Sequence, residues 1–177
     1  MKYLLKNVFC FLIALISGGS CAQVPEKRPY IKDPVFDKKI SRTISFTIPT
    51  IGVDELKAVD EPVFILDARE KEEFEISHIP NARYIGYKNI NEDILADIPK
   101  TSRVVLYCSI GYRSEKIGEK MKKKGYSNVY NLYGSIFEWI NQGNTLVDAQ
   151  GQVTSRIHTY NQNWSQWITN EEAEKVW

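Results

Sequence analysis

The middle of the chain contains the run Val104-Val105-Leu106-Tyr107-Cys108-Ser109-Ile110-Gly111-Tyr112-Arg113-Ser114. Apolar, mostly branched side chains precede the cysteine, as is typical of a buried strand. A segment with helical spacing begins at Arg113. A cysteine at such a junction has backbone N–H groups pointing at its sulfur, and both they and the helix dipole favour the thiolate. The run therefore predicts a reactive cysteine, Cys108, at the carboxyl end of a strand.

Length, composition and charge indicate one globular domain. The chain has 177 residues, 43% of them hydrophobic and 12% aromatic, with a formal net charge of +1. This is enough for one proper core and too little for two large domains. Nothing in the charge pattern suggests nucleic-acid binding. The histidines, His78 and His158, are too far apart to give a metal-ligand spacing, so we expect neither a metal nor a cofactor.

The beginning of the chain has the pattern of a secretory signal peptide over residues 1–22. Lys2 and Lys6 precede an uninterrupted apolar run from Val8 to Ile16. That run is too short for a transmembrane helix, which needs about 20 apolar residues. We therefore expect an exported protein.

Two modes of signal cleavage remain open. Cleavage after small residues would leave Gln23 at the new N-terminus. Alternatively, the signal ends at residue 20 and Cys21 is lipidated, because Gly19-Ser20-Cys21 resembles a loose bacterial lipobox. The usual leucine three residues before the cysteine is replaced by Gly18. The first mode predicts a free periplasmic protein, and the second a cell-envelope lipoprotein tethered to the membrane through Cys21.

Removal of the signal would leave Cys108 as the only free thiol. Cys10 leaves with the signal, and Cys21 is either removed or lipidated. An unpaired thiol in an oxidising compartment is a liability unless it has a task. A buried, inert cysteine is the alternative interpretation, and the residues that follow Cys108 favour the reactive one.

Apolar runs alternate with short helical segments through residues 41–142, which we expect to form the domain. Strands are predicted at Thr43–Ile48, Val63–Leu66, Arg83–Gly86, Val104–Tyr107 and Asn128–Leu132. This alternation implies an α/β fold with a central parallel sheet of about five strands and helices on both faces. In such folds the ligand site lies at the carboxyl ends of the strands, where both Asp67 and Cys108 are placed.

The segments on either side of the domain differ in composition. Residues 23–40 carry three prolines among alternating charges and predict a tether, laid partly against the domain through Tyr30 and Phe36. Residues 143–177 hold several tryptophans. We expect this aromatic-rich extension to pack on the domain, although a surface for a partner or a membrane is the alternative.

Four motifs together resemble those of a single-domain rhodanese. They are Leu66-Asp67-Ala68-Arg69, Glu73-Phe74 with Ser77-His78-Ile79-Pro80-Asn81-Ala82, Tyr107 to Ser114, and Gly134-Ser135-Ile136 with Trp139. The resemblance implies a rhodanese-like fold and a sulfurtransferase in which Cys108 is the nucleophile and carries sulfur as a persulfide. Ser135 stands where the family most often has a second glycine.

The loop after Cys108 supports the same chemistry. Gly111 is free to take a positive φ, which would curl the backbone into a nest of N–H donors. Four residues separate Cys108 from Arg113, whereas the similar cradle of cysteine-dependent phosphatases has five. The shorter loop makes a narrower ring of donors, which suits a single sulfur atom better than a tetrahedral phosphate.

Roles for the other site residues follow from their positions. We expect Ser109, Ile110, Gly111, Tyr112, Arg113 and Ser114 to cradle the persulfide. Arg113 either attracts an anionic donor such as thiosulfate or braces the loop through an acidic side chain. Ser114 caps the helix or donates towards the sulfur. The resemblance implies that Asp67 and Arg69 mainly tie strand ends together, and direct contact with substrate is the alternative.

Three functions are compatible with these features. The first is a sulfurtransferase that moves sulfane sulfur from thiosulfate or a persulfide to a thiol or a cyanide-like acceptor, through a Cys108 persulfide. The second is a catalytically weak binding or redox-sensing module of the cell envelope. The third, a phosphatase or arsenate reductase, is disfavoured by the short loop. We expect the protein to be a monomer.

Overall fold

The computed structural model describes residues 25–177, and the expected signal segment, including Cys21, lies outside the described residues. The helices are α1 Pro34–Thr43, α2 Val53–Lys57, α3 Lys71–Ile76, α4 Glu92–Ala96, α5 Tyr112–Lys123 and α6 Ser135–Asn141. The strands are β1 Thr50–Ile51, β2 Val63–Asp67, β3 Arg83–Tyr84, β4 Arg103–Tyr107, β5 Val129–Leu132, β6 Leu146–Val147, β7 Val153–Thr154, β8 Arg156–His158 and β9 Glu174–Val176. Within this part of the chain no helix has the length and apolar character needed to cross a membrane.

The core is a five-stranded sheet in the order β1-β5-β4-β2-β3, and every pairing in it is parallel. Strand β4 lies at its centre. Val105 and Tyr107 face one apolar cluster and Val104 and Leu106 face the other, so the strand is buried on both sides. This explains why it reads as a continuous apolar run. The prediction of an α/β fold with a central parallel sheet is confirmed.

The prediction of a tether over residues 23–40 is wrong from Pro34 onward, where α1 begins. Asp33 caps this helix by accepting the N–H groups of Val35 at 2.8 Å and Phe36 at 3.2 Å. Proline is pre-organised for the first helical turn, so Pro34 begins the helix and does not mark irregular chain. Phe36 and Ile40 lie one turn apart and are almost fully buried in the core.

Two further details differ at this end of the chain. The strand predicted over Thr43–Ile48 does not form, because α1 continues to Thr43 and Phe46 takes a φ of 53°. The first strand of the sheet is the shorter Thr50–Ile51. Tyr30, expected to lie on the domain, is 75% exposed.

The extension folds onto the domain as two small sheets and a 3-10 helix. Strands β6 and β7 pair antiparallel, β8 and β9 pair in parallel, and the 3-10 helix spans Gln162–Trp167. Ile157 and Ile168 are buried in the same cluster as α1. Trp167 stacks on Phe36 with ring centroids 5.4 Å apart. The extension thus packs against the helix that the tether prediction had missed.

Candidate active site

Cys108 follows β4 directly, with 1% of its surface exposed, and is a free thiol. Strand β4 lies between β5 and β2, so the cysteine stands at the middle of the carboxyl edge of the sheet. The backbone N–H of Gly111 donates to its Sγ at 3.1 Å. The sulfur therefore lies at the mouth of the loop that leads into α5, as the sequence predicts.

Gly111 and two neighbouring polar residues fix the shape of this loop. Gly111 has a φ of 112°, a conformation that favours glycine, and it is the N-cap of α5. Its carbonyl accepts the side-chain amide of Asn131 at 2.9 Å. Asn131 in turn accepts the hydroxyl of Ser114 at 2.7 Å. The bond from Ser114 also ties the start of α5 to the buried amide of β5, which holds the loop from the side of the sheet.

Arg113 is held by the buried carboxylate of Glu73 on α3. Its two terminal nitrogens donate to the two carboxylate oxygens at 2.5 Å and 2.8 Å, and one of them also donates to the Ser109 hydroxyl at 3.0 Å. Glu73 also accepts the backbone N–H of Glu70 at 3.0 Å. Of the two roles open to Arg113, the geometry gives the bracing one, with Glu73 as the acidic partner.

The electrostatics of the loop favour the thiolate. Burial raises the pKa of Cys108, but the charge of Arg113 and the polar groups of Ser114 and Gly111 outweigh burial, so that the pKa is lowered from its ordinary value. Burial likewise raises the pKa of Glu73, and the bonds and charge of Arg113 outweigh it and lower that pKa. Both members of the buried pair are therefore charged at neutral pH, and the lowered pKa of Cys108 beside them favours its thiolate.

Asp67 and Arg69 lie at the end of β2 and are fully buried. The guanidinium of Arg69 donates to both carboxylate oxygens of Asp67 at 2.7 to 3.0 Å, and also to the carbonyl of Ser77 at 2.6 Å. This pair ties the end of β2 to the segment that follows α3. Neither residue lines the cavity over Cys108.

A cavity of about 290 Å³ opens above Cys108. Its walls come from the loop, from the end of α1, from the segment after β3 and from the extension. Lining residues are Thr43, Tyr87, Cys108, Ser109, Ile110, Tyr112, Arg113, Tyr160 and Trp164. Gly111 and Ser114 of the predicted cradle are not among the residues that line this cavity. Most of the lining surface is aromatic or apolar.

Several site residues were missed by sequence reasoning. Glu73 is part of one of the four motifs, but the sequence suggested no role for it. Its position in α3 did not indicate that it would pair with Arg113. Asn131, inside a strand, is a polar interruption of an apolar run, which was an available signal. Tyr160 and Trp164 belong to the extension, where nothing in the pattern linked them to Cys108. Their place in the site is set by tertiary packing alone.

Ser135, which stands where the family most often has a second glycine, makes contacts of its own. It takes a φ of 55°, in the region where glycine is favoured, which accounts for the family's preference at this position. Its hydroxyl accepts the backbone N–H of Cys108 at 3.2 Å and donates to the carbonyl of Leu132 at 3.2 Å. The serine thus joins the nucleophile to the end of β5.

His158 approaches the buried pair from the extension. Its Nδ1 accepts the backbone N–H of Tyr160 at 3.0 Å and lies 3.9 Å from Glu73 Oε1. Burial lowers the pKa of His158, and Arg69 and Arg113 lower it further against the opposing charge of Glu73. Across residues 25–177, no group of three or more His, Cys, Asp or Glu side chains is arranged to hold a metal ion.

This fold and this cysteine loop define a class. A family model described as "Rhodanese-like domain" matches residues 53–142, about half of the chain. The protein belongs to the rhodanese-like family. Strand β1, helix α1 and the whole extension, including Tyr160 and Trp164, lie outside the matched residues.

Named relatives share this domain. The chain is 37% identical over 79 residues to the probable adenylyltransferase/sulfurtransferase MoeZ of Mycobacterium tuberculosis, covering 44% of this chain and 20% of that protein. It is 32% identical over 96 residues to the putative sulfur carrier protein YrkF of Bacillus subtilis, covering 52% of this chain and 51% of that protein. The chain thus spans between about a fifth and about half of the length of these curated relatives.

The fold also matches solved structures. The BH2092 protein of Bacillus halodurans superposes with a TM-score of 0.53 at 25% identity, covering 58% of this chain and 79% of that one. These similarities place the chain among rhodanese-fold proteins, several of whose relatives are named sulfurtransferases or sulfur carriers.

Proposed function

We propose that the protein is a sulfurtransferase that carries sulfane sulfur on Cys108 as a persulfide. The observation that supports this best is the thiol at the floor of an open cavity, with the Gly111 N–H 3.1 Å from its Sγ. The donors that lower the pKa of the thiol also suit the terminal sulfur of a persulfide anion. A loop with four residues between Cys108 and Arg113 favours one sulfur atom over a phosphate.

The reaction has two steps. The Cys108 thiolate attacks the outer sulfur of a donor R–S–SH, a sulfur–sulfur bond forms to Cys108, and R–S⁻ leaves with the electrons of the broken bond. A nucleophilic acceptor, such as a thiolate or cyanide, then attacks the outer sulfur of the Cys108 persulfide. The thiolate of Cys108 is released unchanged, as covalent catalysis requires.

Intact mass measurement tests the proposal. Incubation with a sulfane donor such as thiosulfate should add the mass of one sulfur atom, and addition of cyanide should remove it. Cys108→Ser should take up none, whereas Ser41→Ala, on the exposed side of α1, should load like the parent protein. Failure of every sulfane donor to load Cys108 would contradict the proposal. Loading without any transfer to cyanide or a thiol would favour the binding or redox-sensing module instead.

We also propose that the protein is exported, acts in the periplasm or cell envelope, and is a monomer there. The signal-like pattern of residues 1–22 supports export, and Cys21 is the candidate lipid anchor. The mass of the protein recovered from an envelope fraction distinguishes a chain beginning at Gln23 from one beginning at lipidated Cys21. Recovery of the unprocessed chain from the cytoplasm alone would contradict export, and light scattering of the purified protein measures its oligomeric state.

A further inference from the structure

The wall of the Cys108 cavity is completed by residues outside the family domain. Tyr160 and Trp164 come from the extension, and they line the cavity together with Ile110 and Tyr112. Tyr112 is 46% and Tyr160 56% exposed. Aromatic rings grouped around a nucleophile offer apolar surface to whatever part of a substrate does not react.

The charge of the cavity suits few anions. Arg113 is the one cation among the lining residues, all of which lie in the described part of the chain. Both of its terminal nitrogens are bonded to Glu73, whose side chain is 4% exposed. A dianion such as thiosulfate needs an unpaired cation to bind. Here it would meet an ion pair with no net charge, and one member of that pair is a carboxylate.

The aromatic wall is held in place before any substrate binds. The side chain of Asn161 accepts the backbone N–H of Trp164 at 3.2 Å, which fixes the main chain there, and the ammonium of Lys39 lies 4.9 Å from the Trp164 ring centroid. The Tyr160 ring lies 5.5 Å from the guanidinium carbon of Arg113. Rings fixed in this way lose little freedom when they bind a ligand.

We propose that Tyr160 and Trp164 make the Cys108 site selective for sulfane-sulfur donors that carry an aromatic or other apolar organic group. This inference rests on the proposed sulfurtransferase function. The cavity volume of about 290 Å³ is adequate, since an apolar cavity of about 150 Å³ can hold benzene. Burial of the organic group against the rings then supplies the binding free energy that the paired Arg113 does not.

The step is the same for any donor of this class. For an aryl thiosulfonate, the Cys108 thiolate attacks the sulfane sulfur and the aryl sulfinate leaves with the electron pair of the broken S–S bond. The outer sulfur of the new persulfide keeps the negative charge that it carried in the donor, so the step needs no proton. Methanethiosulfonate and benzenethiosulfonate carry the same charge and the same type of leaving group, so they differ chiefly in the group that would meet Tyr160 and Trp164.

The test compares kcat/KM for these two donors in the full protein, with cyanide as acceptor. We expect the benzene compound to be preferred by about tenfold or more after correction for the uncatalysed rates. Equal values for the two donors would overturn the inference and leave the proposed function intact. If neither donor loads Cys108 by intact mass, the proposed function fails and this inference fails with it.

Substitutions at Tyr160 and Trp164 test whether these two residues are the source of the selectivity. Trp164→Ala and Tyr160→Leu should each lower the benzene-to-methane ratio by about fivefold, because each removes part of the apolar contact. The matched control is Trp177→Ala, since Trp177 is 60% exposed and lies outside the cavity. A second measurement uses the unmodified protein alone: benzenesulfinate should protect Cys108 from alkylation at lower concentration than methanesulfinate. Equal protection, or an unchanged ratio in folded wall variants, would overturn the inference.

Discussion

Replacing Arg113 by methionine should destabilise the protein strongly at neutral pH, because it leaves the Glu73 carboxylate buried without its cation. The side chains of Arg113 and Glu73 are only 12% and 4% exposed. Removing one member of such a pair costs about 3 to 5 kcal/mol of unfolding free energy. Since Arg113 retains some contact with water, we expect the lower end, about 3 kcal/mol.

The pH dependence of that loss separates charge from packing. In the parent protein the pKa of Glu73 is depressed, so the stability it contributes is present above its unfolded pKa and is lost only as pH falls through the folded value. Without Arg113, burial should raise the pKa of Glu73 above its unfolded value. The penalty is then full at neutral pH and is relieved as pH falls, so the loss should shrink to less than about half near pH 5.

Urea denaturation at both pH values measures these free energies. The Cys108→Ser background removes the titration of the thiol from the comparison. Arg83→Met is the matched control, since its pair with Asp97 is exposed and should be worth less than about 1 kcal/mol with little pH dependence. A loss for Arg113→Met as small as that of the control, or one that does not change with pH, would refute the reasoning.

Other variants test the loop and the first helix. Ser135→Ala keeps the strained φ and loses the bond to the Cys108 N–H, so it should cost about 1 to 2 kcal/mol by urea denaturation, whereas Ser135→Gly relieves the strain and should cost less. Gly111→Ala places a Cβ where φ is 112°, and should both destabilise the fold by about 1 kcal/mol or more and slow alkylation of the thiol. Phe36→Ala should cost about 3 to 5 kcal/mol, and the exposed Tyr30→Ala less than about 0.5 kcal/mol, in thermal and urea unfolding. Equal effects of the last two substitutions would mean that residues 34–43 do not form part of the core.

The sequence was sufficient for the inner strands of the central sheet, because they carry their own signal, but not for the edge strand β1. Val63–Asp67 and Arg103–Tyr107 are buried on both faces, so each appears as an unbroken apolar run followed by a polar residue. Helix α1 was missed because its prolines and charges resemble those of a linker. Its helical state depends on burying Phe36 and Ile40 in a core that a local pattern does not reveal.

Part of the candidate site could likewise be predicted from the sequence, and part of it could not. Cys108, Gly111 and Arg113 are neighbours in sequence, and the loop that joins them could be predicted from their spacing. The carboxylate that binds Arg113 could not, since α3 alone offers Glu72, Glu73 and Glu75, and only tertiary structure selects the middle one. Tyr160 and Trp164 reach the cavity through the packing of the extension, which leaves no periodic trace in the sequence.

The position of Tyr160 and Trp164 far along the chain has a consequence for the order of events during folding. The cysteine loop is held by residues of the family domain, such as Glu73 and Asn131, whereas the aromatic wall comes from residues further along the chain that return to the sheet edge. During synthesis, the nucleophile therefore exists before its enclosure does. A nascent chain that has not yet added the extension would carry a thiol without the aromatic wall to which we attribute its selectivity.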